Sequence, residues 1–370
     1  MLTSRERFIL LNTIPGVGSL CLRRLLDAFG ESERIFTAGE QVLRQVEGVN
    51  PALAQRLWKG CRNEASLRRE LALSKSAGVE IVTLEDAAYP DSLRAIPDPP
   101  LALYIRGTLE PADAVAVSLV GSRRASAYGL RCAEQLSYAL ALQGVTIISG
   151  LARGIDGAAH RGALQAAGRT LAVLGSGLQH LYPPEHEELA EQISQHGALI
   201  SEYPMATPPL PHNFPRRNRI VSGLSLGVVV VEAAARSGAL ITVDCALEQG
   251  KEVFAVPGPM NALTSQGTHQ LLKQGARLVT SADDIFEELR ITAQPVCAAS
   301  TPPPLQHTVV QTPESQQQVL ACTHPDQARD IDAIAVQSGL AMADVSSILL
   351  QLELRHMIRQ LPGKQFIRTG

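Results

Sequence analysis

The chain has 370 residues, 45% of them hydrophobic, with 33 Lys and Arg against 36 Asp and Glu and a formal net charge of -3. That length and apolar share suit one large domain and one or two small ones with real cores, and the charge excludes a protein that is basic throughout, so any polyanion site must be a local patch. Six cysteines (Cys21, Cys61, Cys132, Cys245, Cys297, Cys322) match neither a disulfide framework nor zinc-ligand spacing, and the N-terminal stretch has no signal-peptide pattern. Reduced thiols, a cytoplasmic location and no membrane insertion are expected, the last because no segment approaches the ~20 apolar residues of a span.

Residues 1–80 read as a helical domain. "IPGVGSLCLRRLLDAFG" (Ile14 to Gly30) places apolar residues at helical spacing after a Gly-x-Gly turn, and "VEGVNPALAQRLW" (Val46 to Trp58) is a weaker copy. Such a helix-hairpin-helix turn either offers backbone N–H groups to a phosphate or simply joins two helices.

From about Ile81 the pattern becomes strand-length apolar runs separated by helical stretches. The runs are Ala114 to Gly121, Val145 to Gly150, Thr170 to Gly177, Ala198 to Tyr203, Leu226 to Ala233 and Glu252 to Gly258. The helical candidates are Tyr128 to Gln143, Ile155 to Ala167, Glu185 to His196 and Leu240 to Gln249. Continuous apolar strands alternating with helices mean a parallel sheet covered on both faces. Residues 81–290 are therefore expected to form a Rossmann-like, doubly wound α/β domain. Residues 291–318, centred on "TPPPL" (Thr301 to Leu305), read as a flexible linker. Residues 319–370 read as a winged-helix domain: helix, Gly339 turn, helix, then two short strands around Pro362 and Gly363. Its last stretch carries Arg355, His356, Arg359, Lys364 and Arg368.

Ligands of open parallel sheets sit beyond the carboxyl ends of the strands. The loops there read "GSRRAS" (Gly121 to Ser126), "SGLARGIDGAAH" (Ser149 to His160), "GSGLQHLYP" (Gly175 to Pro183) and "EAAARSGAL" (Glu232 to Leu240). Glycine admits a phosphate to backbone N–H groups and arginine forks onto its oxygens, so Gly121, Ser122, Arg123, Gly150, Arg153, Gly154, Arg236 and Gly238 are candidate contacts. Between Ala114 and Pro184 six arginines stand against only Glu134 and Asp156. No P-loop and no dinucleotide fingerprint is present. Asp156 reads as a residue that orients its glycine-rich loop, and no nucleophile motif accompanies His160 or Glu232.

"FPRRNRIVSGLS" (Phe214 to Ser225) is the sharpest feature. No acidic side chain occurs from Tyr203 to Val231, so Arg216, Arg217 and Arg219 are expected to lack partners nearby. An aromatic beside unpaired cations suits a single nucleic-acid strand, one to stack a base and the others to neutralise phosphates. Arg123, Arg153, Arg217 and Arg219 are thus expected to line one basic track.

These motifs, with "VVEAAARSGALIT" (Val230 to Thr242) and "GKEVFAVPG" (Gly250 to Gly258), resemble the DNA-processing protein A family, DprA or Smf. The resemblance implies a non-enzymatic mediator that binds single-stranded DNA, helps load the RecA recombinase, serves natural transformation and forms a homodimer, with single-stranded DNA-binding protein as a further partner. It implies no cofactor or metal. It places Arg123 on the phosphate backbone, Phe214 under a base, and Arg217, Asn218 and Arg219 in the same groove. The stretch Gly267 to Ala276 corresponds to the region through which relatives dimerise. Some relatives carry lysine three residues before Phe214; Pro211 stands there in this chain, so a cationic contact at that place would fall to His212 or Arg216. Two rivals come from other classes: a nucleotide-processing, phosphoribohydrolase-like enzyme using Glu232 and Arg236, and a transcription factor acting through the winged helix.

Overall fold

A computed structural model describes residues 2–291, 314–324, 329–354, 357–361 and 365–368. Contacts divide the chain into two compact units, Met1–Val296 and Cys297–Gly370.

The first unit opens with helices that fold for local reasons. Helix Ser4–Asn12 begins in a capping box between Thr3 and Glu6, and helix Pro51–Gly60 has Asn50 as its N-cap and proline in its first turn, where a missing N–H costs nothing. Both segments read as helix-hairpin-helix form helices after glycine turns, with helix Ser19–Phe29 following the first. Phe8, Ile9, Leu10 and Leu11 are all buried, because helix Ser4–Asn12 is wedged between two cores. One is the hairpin core of Leu22, Leu25, Leu53 and Leu57; the other includes Tyr104, Leu189 and Leu199 of the sheet region. No break in packing falls at residue 80, so helices and sheet form one unit.

The sheet has nine strands: β1 (Glu80–Thr83), β2 (Ala102–Gly107), β3 (Ala116–Gly121), β4 (Thr146–Ser149), β5 (Thr170–Val173), β6 (Gly197–Ser201), β7 (Gly227–Glu232), β8 (Glu252–Ala255) and β9 (Arg277–Leu278). Their order is β1-β2-β6-β5-β4-β3-β7-β8-β9. From β6 to β9 every pairing is parallel, as the apolar runs require, while β2 is antiparallel to β6 and β1 to β2. Successive side chains of β7 serve opposite faces: Val228 and Val230 pack with Ile220, Val221 and Val243, whereas Val229 and Val231 pack with Ala133, Leu136, Leu140 and Ala159. The order reverses between β3 and β7, which is the switch point where such sheets open a crevice. A register shift at Val120/Gly121 sits at that point.

The second unit contains helices Glu314–Ala321, Ile331–Ser338 and Met342–Leu354 and strands β10 (Arg329–Asp330), β11 (Ile358–Leu361) and β12 (Gln365–Arg368), ordered β10-β12-β11. Val319, Ile334, Val345, Leu349, Ile358 and Phe366 form its core. Most of the segment expected as a linker lies outside the described residues, but Glu314 to Gln318 belongs to the first helix of this unit, because Val319 must be presented to the core. Arg359 and Arg368 are exposed on the wing strands; Arg355, His356 and Lys364 lie outside the described residues. Cys21, Cys61, Cys132, Cys245 and Cys322 are free, and burial pushes the Cys61 thiol up to about 12. Among the described residues no helix is long and apolar enough to cross a membrane.

Candidate functional site

Helices Ala127–Leu142, Ile155–Gln165, Asn213–Gly223 and Ala239–Glu248 all begin at the rim formed by the carboxyl ends of the strands. Their first turns expose N–H dipoles toward one place, which makes that rim favourable to anions before any side chain is counted. A groove of about 700 Å³ opens there. Of the residues expected at the site, Gly121, Ser122, Arg123, Gly150, Phe214, Arg217, Asn218, Arg236 and Gly238 line it. Arg153 lines an adjoining recess with Arg123 and Phe214.

Phe214 lies in the first turn of its helix, where Pro215 is tolerated because first-turn N–H groups have no intrahelical partner. The ring is half-buried, and the Arg123 guanidinium carbon sits 5.2 Å from its centroid. That is cation–π distance. Asn218 reaches across the groove, its Nδ2 donating to the Gly238 carbonyl at 3.4 Å. Arg123, Arg124 and Arg236 are exposed and have no carboxylate partner among the described residues. They carry the free positive charge of the rim.

Arg217 has a different position. It is 4% exposed, and its Nη1 donates to the carbonyls of Gly150 (2.8 Å) and Val173, tying the ends of β4 and β5 to the Phe214 helix. Burial lowers its proton affinity and the nearby Asp156 carboxylate restores part of it; burial pushes Asp156 up, with Arg217 and the Ala152 amide opposing. Asp156 accepts from the Ala152 N–H at 3.3 Å, so it orients the loop as the sequence suggested. Gly150 is required here: a Cβ would come within 2.4 Å of the Arg217 guanidinium. Gly154 stands behind the groove at φ +76°, where a Cβ would lie 2.2 Å from the Ser122 carbonyl. Both glycines shape the loops, and the Ser122 amide is already donated to the Glu232 carbonyl at 2.7 Å.

The expectation that Arg216, Arg217 and Arg219 lack partners fails for Arg217 and Arg219, and the expected basic track loses Arg153 and Arg219 to carboxylates. Arg219 turns away from the groove and forks onto Glu202 at 2.9 and 2.7 Å, with Asp98 at 3.1 Å from its Nε. Glu202 immediately precedes the acid-free segment, and Asp98 comes from far along the chain. Arg153, although at the rim, is paired with Glu185. Arg216 has no carboxylate partner among the described residues, and its Nη2 would lie 3.8 Å from a Cβ at Gly18, in the first hairpin turn. Arg219→Ala is expected to cost about 1.5–3 kcal/mol of stability by orphaning Glu202 and Asp98, while leaving the salt dependence of oligonucleotide binding unchanged. Urea denaturation and binding titrations on the variant check both halves.

The residues of the enzymatic reading are occupied elsewhere. Glu232 is 3% exposed and its carboxylate accepts from the Ser126 N–H at 2.8 Å, at the start of helix Ala127–Leu142. His160 is fully buried, its Nδ1 bonded to Thr170 Oγ1 at 2.7 Å, and burial pushes its pKa down to about 3. Only Arg236 of the Glu232–Arg236 pair lines the groove. The sequence pattern does not single out Tyr182, which faces Phe214, or Arg124, which lines the groove with Arg123. The signal for Tyr182 was its place in "GSGLQHLYP", a strand-end loop already singled out for its glycines.

A doubly wound sheet with a cationic, aromatic-edged groove at its switch point, in a chain that also holds a winged helix, defines a Rossmann-like protein built to hold polyanions. The chain belongs to the DprA/Smf family: residues 80–290 match the model of DNA recombination-mediator protein A, and residues 300–364 match the DprA winged helix domain. It is 42% identical over 337 residues to Protein Smf of Escherichia coli, covering 88% of this chain and 86% of that one. It is 43% identical over 224 residues to the DNA processing protein DprA of Bacillus subtilis, covering 60% and 75% of the two chains. The solved structure of DprA from Streptococcus pneumoniae superposes with a TM-score of 0.67 at 34% identity, covering 79% of this chain and 99% of that one. A Helicobacter pylori DprA structure, described for its single-stranded DNA binding mode, superposes with a TM-score of 0.52 at 30% identity, covering 57% and 96%.

Proposed function

We propose that the groove binds single-stranded DNA and that the protein acts, without catalysing a reaction, as a recombination mediator that protects the strand and helps load RecA on it. The observation that carries this reading is the Phe214 ring with the Arg123 guanidinium 5.2 Å from its centroid, in a groove whose other free cations are Arg124 and Arg236. A base takes the ring face, and the displaced guanidinium turns to the phosphate that arrives with it. Stacking tolerates every base and phosphate contacts ignore sequence, so such a groove binds strands of any sequence. The Helicobacter pylori relative supports this reading through the strand it is described as binding. Homodimer formation through the Gly267 to Ala276 region, interaction with single-stranded DNA-binding protein and a cytoplasmic location complete the proposal.

The test is fluorescence anisotropy of labelled oligo-dT and of a matched duplex across salt concentrations, with no nucleotide added. Steeply salt-dependent binding that prefers the single strand is expected; binding of the duplex alone would shift the function to the winged helix. In the same assay Arg123→Ala is expected to weaken binding and to flatten the plot of log affinity against log salt by about one unit, the share of one phosphate contact. An unchanged slope would remove Arg123 from the backbone contacts.

A further inference from the structure

Tyr182 is the one large aromatic at the groove that the reading above leaves without a task. It is 37% exposed although it lies between two packed loops, and it borders both the groove and the recess shared by Arg123, Arg153 and Phe214. Its ring centroid is 5.7 Å from that of Phe214, with the planes inclined at 55°. Phe214 itself rests on Gly175, where a Cβ would come within 2.8 Å of the ring, so its stacking surface is the side that meets Arg123. Arg153 lies beside the Tyr182 hydroxyl and is held there by Glu185.

We infer that Tyr182 is a second base-stacking face, so that the groove takes two successive nucleobases of a single strand splayed apart instead of stacked on each other. This rests on the single-strand reading of the groove. Successive bases of a duplex are parallel and roughly 3.4 Å apart along each strand. Two platforms inclined at 55° with centres 5.7 Å apart cannot both lie flat on such a pair. They fit bases whose mutual stacking has already been broken, which a free strand supplies at little cost and a duplex does not. The rings would therefore contribute discrimination against duplex, while the rim arginines, which neutralise phosphates of either form, contribute affinity. A tyrosine suits this exposed position because its apolar face stacks while its hydroxyl stays at the polar rim.

The experiment uses the full chain with Tyr182→Leu and Tyr182→Phe, and two probes of equal length: oligo-dT and an abasic deoxyribose-phosphate oligomer. Tyr182→Leu is expected to lose about 5- to 20-fold in affinity for oligo-dT, to keep its affinity for the abasic strand, and to keep the wild-type unfolding midpoint, while Tyr182→Phe binds both as wild type does. An oligonucleotide with two adjacent 2-aminopurines is expected to brighten on binding wild type, as the pair unstacks, and to brighten less on Tyr182→Leu. Equal losses on both probes would make Tyr182 a wall of the loop, and an unchanged oligo-dT affinity would remove it from the site; either overturns the inference and leaves the single-strand reading standing. Failure of the wild type to bind any oligonucleotide would overturn that reading itself.

Discussion

Arg217→Ala is expected to lower the unfolding free energy by about 2–6 kcal/mol, at about 1–3 kcal/mol for each of the two buried carbonyls it leaves without this donor. The carbonyls of Gly150 and Val173 lose a donor at once, and the Asp156 carboxylate, still held by the Ala152 N–H, loses the nearby positive charge that favours its ionised form. Arg217→Met, which keeps the apolar stem, should recover little of this, because the cost lies in the orphaned polar groups and not in lost volume. Adding Asp156→Asn to Arg217→Met should recover more, since it removes the uncompensated charge. The pH dependence follows from the direction of the Asp156 shift. Its carboxyl is raised in the folded protein, so the folded state binds the proton more tightly, and the contribution of this group to stability falls as pH rises from the ordinary aspartate range through the raised folded value. Without Arg217 the rise is larger. The deficit of the variant should thus be smallest at acid pH and grow toward neutrality, which urea denaturation at several pH values measures directly. A pH-independent deficit would show that Asp156 is not charged beside Arg217.

The same residue shows how far the sequence could be read. Six of the seven parallel strands were legible because each is a predominantly apolar run with no charged residue inside it, and a strand buried on both faces has little other sequence to use. Strand β2 was not, although Ala102 to Ile105 are apolar: it follows a proline-rich stretch and enters antiparallel beside β6, so no helix frames it. Strand β9 has two residues and no periodicity to detect. At the site, the glycines and the aromatic announced themselves through spacing, because a backbone that must pass close to a side chain leaves glycine in the string. The fate of each arginine did not. Local counting of acids could not see Asp98 from Arg219, 121 residues away in sequence, nor the burial of Arg217 beneath loops that come from β4 and β5. Charge pairing is a property of the folded rim. Of the three arginines that looked alike, Arg217 is turned about 100° from Arg216 and so points inward, whereas Arg216 and Arg219 share one side of the helix, where Glu202 and Asp98 claim Arg219 and leave Arg216 at the surface. Tyr182 was missed for the opposite reason: a lone aromatic in a loop carries no pattern, and only its distance from Phe214 gives it meaning.

Phe214→Leu is expected to weaken oligo-dT binding by up to roughly 70-fold, the about 1–3 kcal/mol of one stacked base less the about 0.5–1 kcal/mol of the cation–π contact that the base displaces. Leucine is the informative substitution because it still covers Gly175 and fills the half-buried site, whereas alanine would add a packing loss to the binding loss. The size of the drop depends on Arg123. In the free protein the guanidinium is held over the ring at 5.2 Å, an interaction worth about 0.5–1 kcal/mol at an exposed site, and an arriving base must break it. Leucine abolishes both the base's platform and the competitor's, so the measured loss is the stacking energy less the cation–π energy. Two consequences separate this from a general disturbance of the groove. The salt dependence of Phe214→Leu should match the wild type, because the substitution removes no charge and frees Arg123 to meet its phosphate. In a double-mutant cycle with Arg123→Ala, the two losses should sum to less than the loss of the double variant by about the cation–π energy, since each single change also releases the other side chain from its free-state partner. Losses that simply add would mean that Arg123 does not hold the ring face in solution, and a shallower salt slope for Phe214→Leu would mean that the ring positions the arginine instead of the base.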